Sequence, residues 1–535
     1  MAEPADILIT NARVFAATPA QPPAEAVAVQ GQRIVFVGSQ ADALAWRGPA
    51  TRVIDAAGGS LLPGLIDSHY HLIHGSYGLG DIQLEDVTDL DGLTAAVRQY
   101  AAAHPNTLWL QGVGLRYSAL PGNHLTRHQL DAIEPARPLV VKAYDGHTAW
   151  ANTEALRRGG ILTENPPVGP NSEIKREADG QTAAGELVEP GAFDHVYNQI
   201  PPLTRAEKLA LLKQGAAYAA SLGLTAVHNM YGDAAQMALL THLEQAGDLP
   251  LRVLMPLHVT PDMPLESLAE AVQMRADSAR LVRGGAVKFF MDGVIETFTG
   301  LLVDDYAGRP GDRGDALFSA DHFNRFAIQA DRMGLQIAVH AVGDGAVRRT
   351  LDGFAAARQA NGPRDSRHRV EHIELIHPDD LPRFAQLGVI ASMQPAHAPL
   401  TVRDPDPWLK NVDEGRWACS FAWQTIRQAG ARLAFGSDWP VATADPLVGL
   451  HYALNRQPWA PGLPPQRQTL AEAITSYTYD AAFTEFAEQQ RGSLQAGLLA
   501  DLVLLSEDIF ALPPEEVARA KPLLTMCDGR IVFEA

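Results

Sequence analysis

A chain of 535 residues exceeds one ordinary domain and points to a large core domain plus an accessory unit. Its 46% hydrophobic and 20% charged residues suit a soluble globular protein, and a formal net charge of -19 argues against nucleic acid, which needs clustered Lys and Arg. Cys419 and Cys527 are the only cysteines, which leaves room for one bridge but excludes a disulfide framework and a Cys-rich zinc site; zinc would have to be held by His, carboxylate or an unusual ligand.

The start, Met1-Ala2-Glu3-Pro4-Ala5-Asp6, lacks the basic and apolar regions of a signal peptide, and no apolar run is long enough to span a bilayer. A cytoplasmic protein with no membrane partner is the expectation. Residues 7–13 and 26–37 read as β, broken at Gly31-Gln32, and 52–55 adds a strand. Ala500–Leu505 and Gly529–Phe533 repeat that character at the other end. The two ends together predict a small β-sandwich domain from residues 1–62 and 485–535.

Between them, strand-like runs alternate with helical text. The strand candidates are Leu61–Asp67, Leu139–Tyr144, Thr225–Asn229, Ala286–Met291, Gln336–His340, Arg369–Ile373, Val389–Met393 and Leu433–Gly436. Helix signals separate them. Thr204 and Glu207 form a capping box ahead of Gly223, Ser319 caps a helix stopping at Gly334, and Pro378 opens one ending at Gly388. Eight near-continuous apolar strands alternating with helices imply an α/β fold, with a parallel sheet covered on both faces or closed into a barrel; a (β/α)8 TIM barrel over 63–484 is the expectation. Residues 75–138 and 150–203 are too long for single crossover helices and read as insertions.

Six residues of metal-binding type stand near the ends of these runs: His69, His71, Lys288, His340, His372 and Asp438. Side chains alternate along a strand, so His69 and His71 point the same way and reach one cation. The other four fall where a barrel assembles its active site. Each has a bland alternative when taken alone; their joint placement favours a metal centre. Lys288 interrupts Gly285-Ala286-Val287-Lys288-Phe289-Phe290-Met291, where a buried ammonium is costly. Either it pairs with a carboxylate such as Asp292, or it reacts as a neutral amine with carbon dioxide to give a carbamate ligand. Asp438 in Gly436-Ser437-Asp438 serves either as a ligand and proton carrier or as a helix N-cap.

The run Gly64-Leu65-Ile66-Asp67-Ser68-His69-Tyr70-His71 resembles the signature of the amidohydrolase superfamily of metal-dependent hydrolases. Asp145–Asn152, Lys288 to Asp292-Gly293, His340–Asp344 and Gly436–Pro440 look like its N-substituted formamide deformylase-like branch. The resemblance implies two divalent metals, usually zinc. His69, His71 and Asp438 would bind one, His340 and His372 the other, and carboxylated Lys288 would bridge them. It also implies a substrate-facing His147 and a homodimer. The sequence departs from the branch after Asp292, where Gly293–Thr299 replaces a Ser/Gly-rich stretch.

The expected function is hydrolysis of a C–N, amide-type bond in a small molecule by metal-activated water. Asp438 would shuttle the proton, and His147 would orient the carbonyl or stabilise its oxyanion. Hydrolysis of an ester, lactone or carbamate, or deamination of a ring, would use the same water attack; a non-catalytic assembly protein is the alternative of another class. Substrate contacts are expected at Trp150, Asn152, His228, Asp292, Asp344, His397 and Trp439. Met393 is a weaker candidate, for which core packing is the preferred reading; core packing is the alternative for Trp150 too.

Overall fold

The computed structural model describes residues 3–17, 23–144, 146, 148–169, 172–402 and 407–535. It divides into two compact units, one of Met1–Ile73 with Lys213–Ala535 and the other of His74–Leu212. Among the described residues no helix is long and apolar enough to cross a membrane.

In the first unit the two chain ends build two sheets. Ile7–Thr10 pairs antiparallel with Ala26–Gln30 and parallel with Arg52–Asp55, and Ala26–Gln30 pairs with Arg33–Gly38 across the expected break at Gly31. The second sheet runs in the order Arg13–Val14, Ser60–Pro63, Leu502–Leu505, Pro522–Cys527, Arg530–Glu534. Alternation decides what each sheet buries. Val27 and Val29 join Leu61, Leu502, Leu504, Leu524 and Met526 in one core, while Ala26 and Ala28 face Leu8 and Ala43 on the other side. The strand Pro522–Cys527 was not among the expected elements. Buried Arg252 binds Asp501 at 2.8 Å and Asp528 at 2.9 Å, tying this sheet to the central strands.

Those central strands form two all-parallel arrays. One is Val282–Arg283, Arg252–Leu254, Leu224–Asn229, Leu65–Tyr70; the other is Leu257–His258, Ala286–Phe290, Gln336–Ala341, Arg369–His372, Ile390–Met393, Arg432–Phe435. The stretch 252–258 contributes to both. After the last strand the chain returns to the first, with Asp438 N–H donating to the His69 carbonyl at 2.7 Å and Ser437 N–H to the Asp67 carboxylate at 3.0 Å. The helix signals hold. Ser319 caps Ala320–Arg332, and Gly388 ends Leu381–Leu387 in the left-handed region. Phe289 faces that helix layer, with its ring 5.5 Å from those of Phe318 and Phe323. Lys288 and Phe290 therefore face the other way, towards the strand interior.

Two strand expectations need correction. The run Leu61–Asp67 is two strands, Ser60–Pro63 and Leu65–Tyr70, parted at Gly64. A Cβ there would lie 2.2 Å from Thr225 Oγ1, so only glycine lets these strands approach. The run Leu139–Tyr144 is not a central strand. Leu139–Ala143 sits in the six-stranded sheet of the His74–Leu212 unit, beside Leu110–Leu115 and Thr148–Ala151. Its two faces are both covered: Leu139 and Val141 pack with Leu93, Val97 and Leu130, and Val140 packs with Leu156, Phe193 and Val196. Double coverage makes a strand read as continuously apolar whichever sheet it joins. Both expected insertions thus belong to one unit. The strand missing from the expected eight is Arg252–Leu254.

Gly436 offers a test of how the last strand meets the first. A Cβ there would lie 2.4 Å from the His69 nitrogen, a backbone atom that cannot swing aside. Gly436→Ala should lower stability by about 1–3 kcal/mol in urea unfolding. Gly415→Ala, with open space around it, should leave the midpoint unchanged.

Candidate metal centre

All six residues of metal-binding type converge at the ends of the parallel strands. His69 lies inside Leu65–Tyr70, and His71 follows one residue after it. His69 Nε2 is 3.4 Å and His71 Nε2 is 2.9 Å from Asp438 Oδ1. The His372 ring is 4.5 Å from that of His69 and 4.4 Å from that of His340. His69, His372 and Asp438 present ligand atoms all within 4.8 Å of one another, a spacing that fits a cation. His372 and Asp438 adopt φ of 73° and 63°. Left-handed backbone at a bulky residue costs about 1–3 kcal/mol and persists where the surroundings enforce it, which is common at functional sites.

Lys288 is fully buried, and its Nζ has no hydrogen-bond partner. The Asp292 ion pair does not form, because Asp292 accepts from the backbone N–H groups of Leu301, Val342 and Gly343 at 2.8, 3.0 and 2.9 Å. Among the described residues no carboxylate lies within ion-pair distance of Nζ; its near neighbour is the Phe290 ring, 4.7 Å away. Burial pulls the Lys288 pKa down to about 8, against the opposing charges of Glu371 and Asp438. A buried, orphaned amine among histidines fits a group completed by carboxylation and metal.

Burial favours the neutral form of the clustered histidines. Burial, with the charge on Lys288, pulls His69 down to about 4 and His340 to about 3. Burial likewise holds His372 well below its ordinary range. Burial alone would raise the Asp438 carboxyl, but the neighbouring His69 and the hydrogen bond from His71 keep it well below the carboxylate range.

One ring nitrogen of each of three histidines meets a partner outside the six metal-type residues. His69 Nδ1 meets Glu371 Oε2 at 2.7 Å, His372 Nδ1 meets Gln394 Oε1 at 2.8 Å, and His340 Nε2 meets the Gly293 carbonyl at 3.0 Å. Such partners set the tautomer of a ligating histidine. Glu371 is gripped by the buried Arg369, which also donates to the Ser68 carbonyl, Ser392 Oγ at 2.8 Å and His228 Nδ1 at 2.9 Å. Sequence reasoning gave Glu371, Arg369 and Gln394 no role. The signal was there in Arg369-Val370-Glu371-His372: two charges spaced by two share one strand face, opposite the apolar neighbours.

Of the expected substrate contacts, His397 stands at the cluster, its Nε2 3.8 Å from Asp438 Oδ2 and its Nδ1 3.7 Å from Glu374. His228 is wholly buried in the Arg369 network. Trp439 stacks on Tyr70 at 5.0 Å and its carbonyl accepts from His71 N–H at 2.9 Å. Four of these expectations, on Asp292, Asp344, Asn152 and Trp150, give way to structural roles. The Asp292 oxygens are saturated by backbone donors, as above. Asp344 accepts from Val303 N–H at 2.9 Å and from Arg416 at 3.1 Å. Asn152, in the His74–Leu212 unit, caps Thr153–Arg158, accepts from Leu139 N–H at 3.0 Å and donates to the Glu134 and Arg137 carbonyls at 2.9 Å. A buried amide with every valence used has nothing left for a ligand. In the same unit Trp150 is core, its Nε1 3.2 Å from Glu186 Oε2. Met393 is likewise buried at the end of its strand. The call on His147 lies outside the described residues.

Three further aromatic side chains were missed. His258, at the end of Leu257–His258, is in register with Lys288. Its ring packs 4.3 Å from Tyr231 and 5.3 Å from Phe290. Burial, then the charges on Lys288 and His71, pulls its pKa down to about 4.

Residues 52–533 match the family model described as the amidohydrolase family. The chain is 30% identical to the protein LONG AFTER FAR-RED 3 of Arabidopsis thaliana, over 99% of this chain and 92% of that one. It is 26% identical to the N-substituted formamide deformylase of Arthrobacter pascens, over 100% of this chain and 99% of the other. Among solved structures it is similar to an uncharacterized metal-dependent hydrolase from Pyrococcus furiosus, with a TM-score of 0.75 and 26% identity, covering 95% of this chain and 99% of that one. With the family model spanning nearly the whole sequence, the chain belongs to the amidohydrolase family and is a hydrolase acting on carbon–nitrogen bonds.

Proposed function

We propose that the protein hydrolyses an amide-type bond of a small molecule at a binuclear metal centre. The observation that carries this reading is Lys288: a fully buried amine with no hydrogen-bond partner, set among four histidines and an aspartate. His69, His71 and Asp438 would hold one cation, and His340 and His372 the other. Lys288 would serve both after its neutral amine adds to carbon dioxide and loses a proton, giving a carbamate. Zinc suits a donor set of imidazole and carboxylate. Divalent ions bound there supply Lewis acidity and a water that ionises near neutral pH.

Asp438 is the proton carrier. Its position beside His69 and His71, and its persistence as a carboxylate, suit it to take the proton of the attacking water and return it to the leaving nitrogen. Water adds to the carbonyl carbon, the C–N bond breaks, and the amine leaves with that proton. The full-length similarity to a formamide deformylase favours an amide over an ester. We also read the two parallel arrays as one (β/α)8 barrel. The shared stretch 252–258 and the hydrogen bonds from Ser437 and Asp438 to the first strand support closure. The two terminal sheets over one core support a small β-sandwich.

Elemental analysis should find two metals per chain, falling to one or none in Lys288→Ala; a full complement in that variant would sink the carbamate. In a panel of paired amides and esters, Asp438→Asn should lose about 10²–10⁴-fold in kcat while remaining folded. Full turnover by that variant, or a clear preference for esters, would overturn the mechanism or the bond. Glu371→Gln should weaken metal binding by about 10–100-fold in a competition titration, because the partner that orients His69 loses its charge.

A further inference from the structure

We propose that Phe290, His258 and Tyr231 form an aromatic wall against which a planar ring of the substrate packs, so that preferred substrates carry an aromatic group beside the scissile bond. This rests on the amide-hydrolase reading and adds the substrate class to it. The wall begins at the metal centre. Phe290 shares a strand face with Lys288, two residues away, and is in register with His340, whose ring lies 5.0 Å from its own. His258 meets Phe290 edge to face at 5.3 Å and 89°, and Tyr231 lies over His258 at 4.3 Å and 32°. Four rings thus run in series from a metal-type histidine to the tip of the strand Leu224–Asn229. Asn229 fixes that tip, donating to the Tyr231 carbonyl at 2.6 Å.

Exposure separates these rings from core aromatics. Phe289, next in sequence, is sealed among other phenylalanines, whereas Phe290, His258 and Tyr231 are all half-buried. Among the described residues, nothing hydrogen-bonds the His258 imidazole. Contiguous half-exposed aromatics at strand ends form a recognition surface where barrel enzymes bind their substrates. Edge and face contacts favour a flat ring over a saturated one by about 0.5–1.5 kcal/mol. A cationic ligand is disfavoured, since two divalent ions outweigh one Asp438 carboxylate and one carbamate.

Hydroxamates test this, because they bind metal and need no turnover. The full-length protein loaded with zinc would be titrated by calorimetry with two matched pairs. Benzohydroxamate and cyclohexanecarbohydroxamate put the ring on the carbonyl side; N-phenylacetohydroxamate and N-cyclohexylacetohydroxamate put it on the nitrogen side. In one pair the phenyl compound should bind about 3–10-fold more tightly, and that pair identifies the side of the bond. The preference should vanish in His258→Leu and in Tyr231→Leu, two separate variants, with zinc content unchanged. Equal binding within both pairs, or a preference that survives in both variants, would overturn the wall and leave the metal-hydrolase reading standing. Binding of none of the four would overturn both.

Discussion

A guanidinium sealed from water must find every hydrogen bond inside the protein, and Arg369 is that group here. Its partners are Glu371 on its own strand, the Ser68 carbonyl, His228 Nδ1 and Ser392 Oγ. They come from four parallel strands, so one side chain pins four strand ends. Removing either member of a buried Arg–Glu pair strands the other charge, at about 3–5 kcal/mol. Glu371 passes the constraint on through His69 Nδ1, which leaves Nε2 turned towards Asp438. Orientation at the metal centre is therefore set one layer below it.

The same burial fixes protonation. A metal ligand must be deprotonated before it binds, and burial holds His69, His340 and His372 in the neutral form. Asp438 stays a carboxylate against its burial because imidazoles surround it. Among the described residues the Lys288 amine has no hydrogen-bond partner. Burial lowers the Lys288 pKa against the opposing charges of Glu371 and Asp438, and so favours the neutral amine that the proposed carbamate requires. Structural and chemical roles thus separate by partner count: Arg369 is satisfied on every side, and Lys288 on none.

The six metal-type residues were legible because polar groups that interrupt apolar runs stand out, and because strand alternation says which way they face. The joint sheet of the two chain ends was legible from the same alternation. Alternation cannot tell which sheet a doubly covered strand joins, so Leu139–Ala143 was read into the wrong one. Nor can sequence separate a polar residue that meets substrate from one that caps backbone. Backbone N–H groups claimed Asn152 and Asp292, while Val303 N–H and the Arg416 side chain claimed Asp344, which opens a helix. His258 escaped notice because Pro256 splits its strand into runs of three and two residues, below the length at which periodicity carries a signal.

That short stretch shows how the chain ends bear on the site. Residues 252–258 form only two short strands, and His258 stands in register with Lys288. The stretch is held at both ends. Arg252 is clamped by Asp501 and Asp528 of the terminal sheet. At the far end, His258 N–H donates to the Gly232 carbonyl at 2.8 Å and Val259 N–H to the Lys288 carbonyl at 2.9 Å. A buried ion pair is a poor source of net stability but a strict constraint on position, because neither charge can leave its partner. The clamp sets where this short strand begins, and Pro256 limits how it continues. The terminal sheet, remote in sequence from every metal-type residue except His69 and His71, thereby fixes the strand that carries His258 to the edge of the centre.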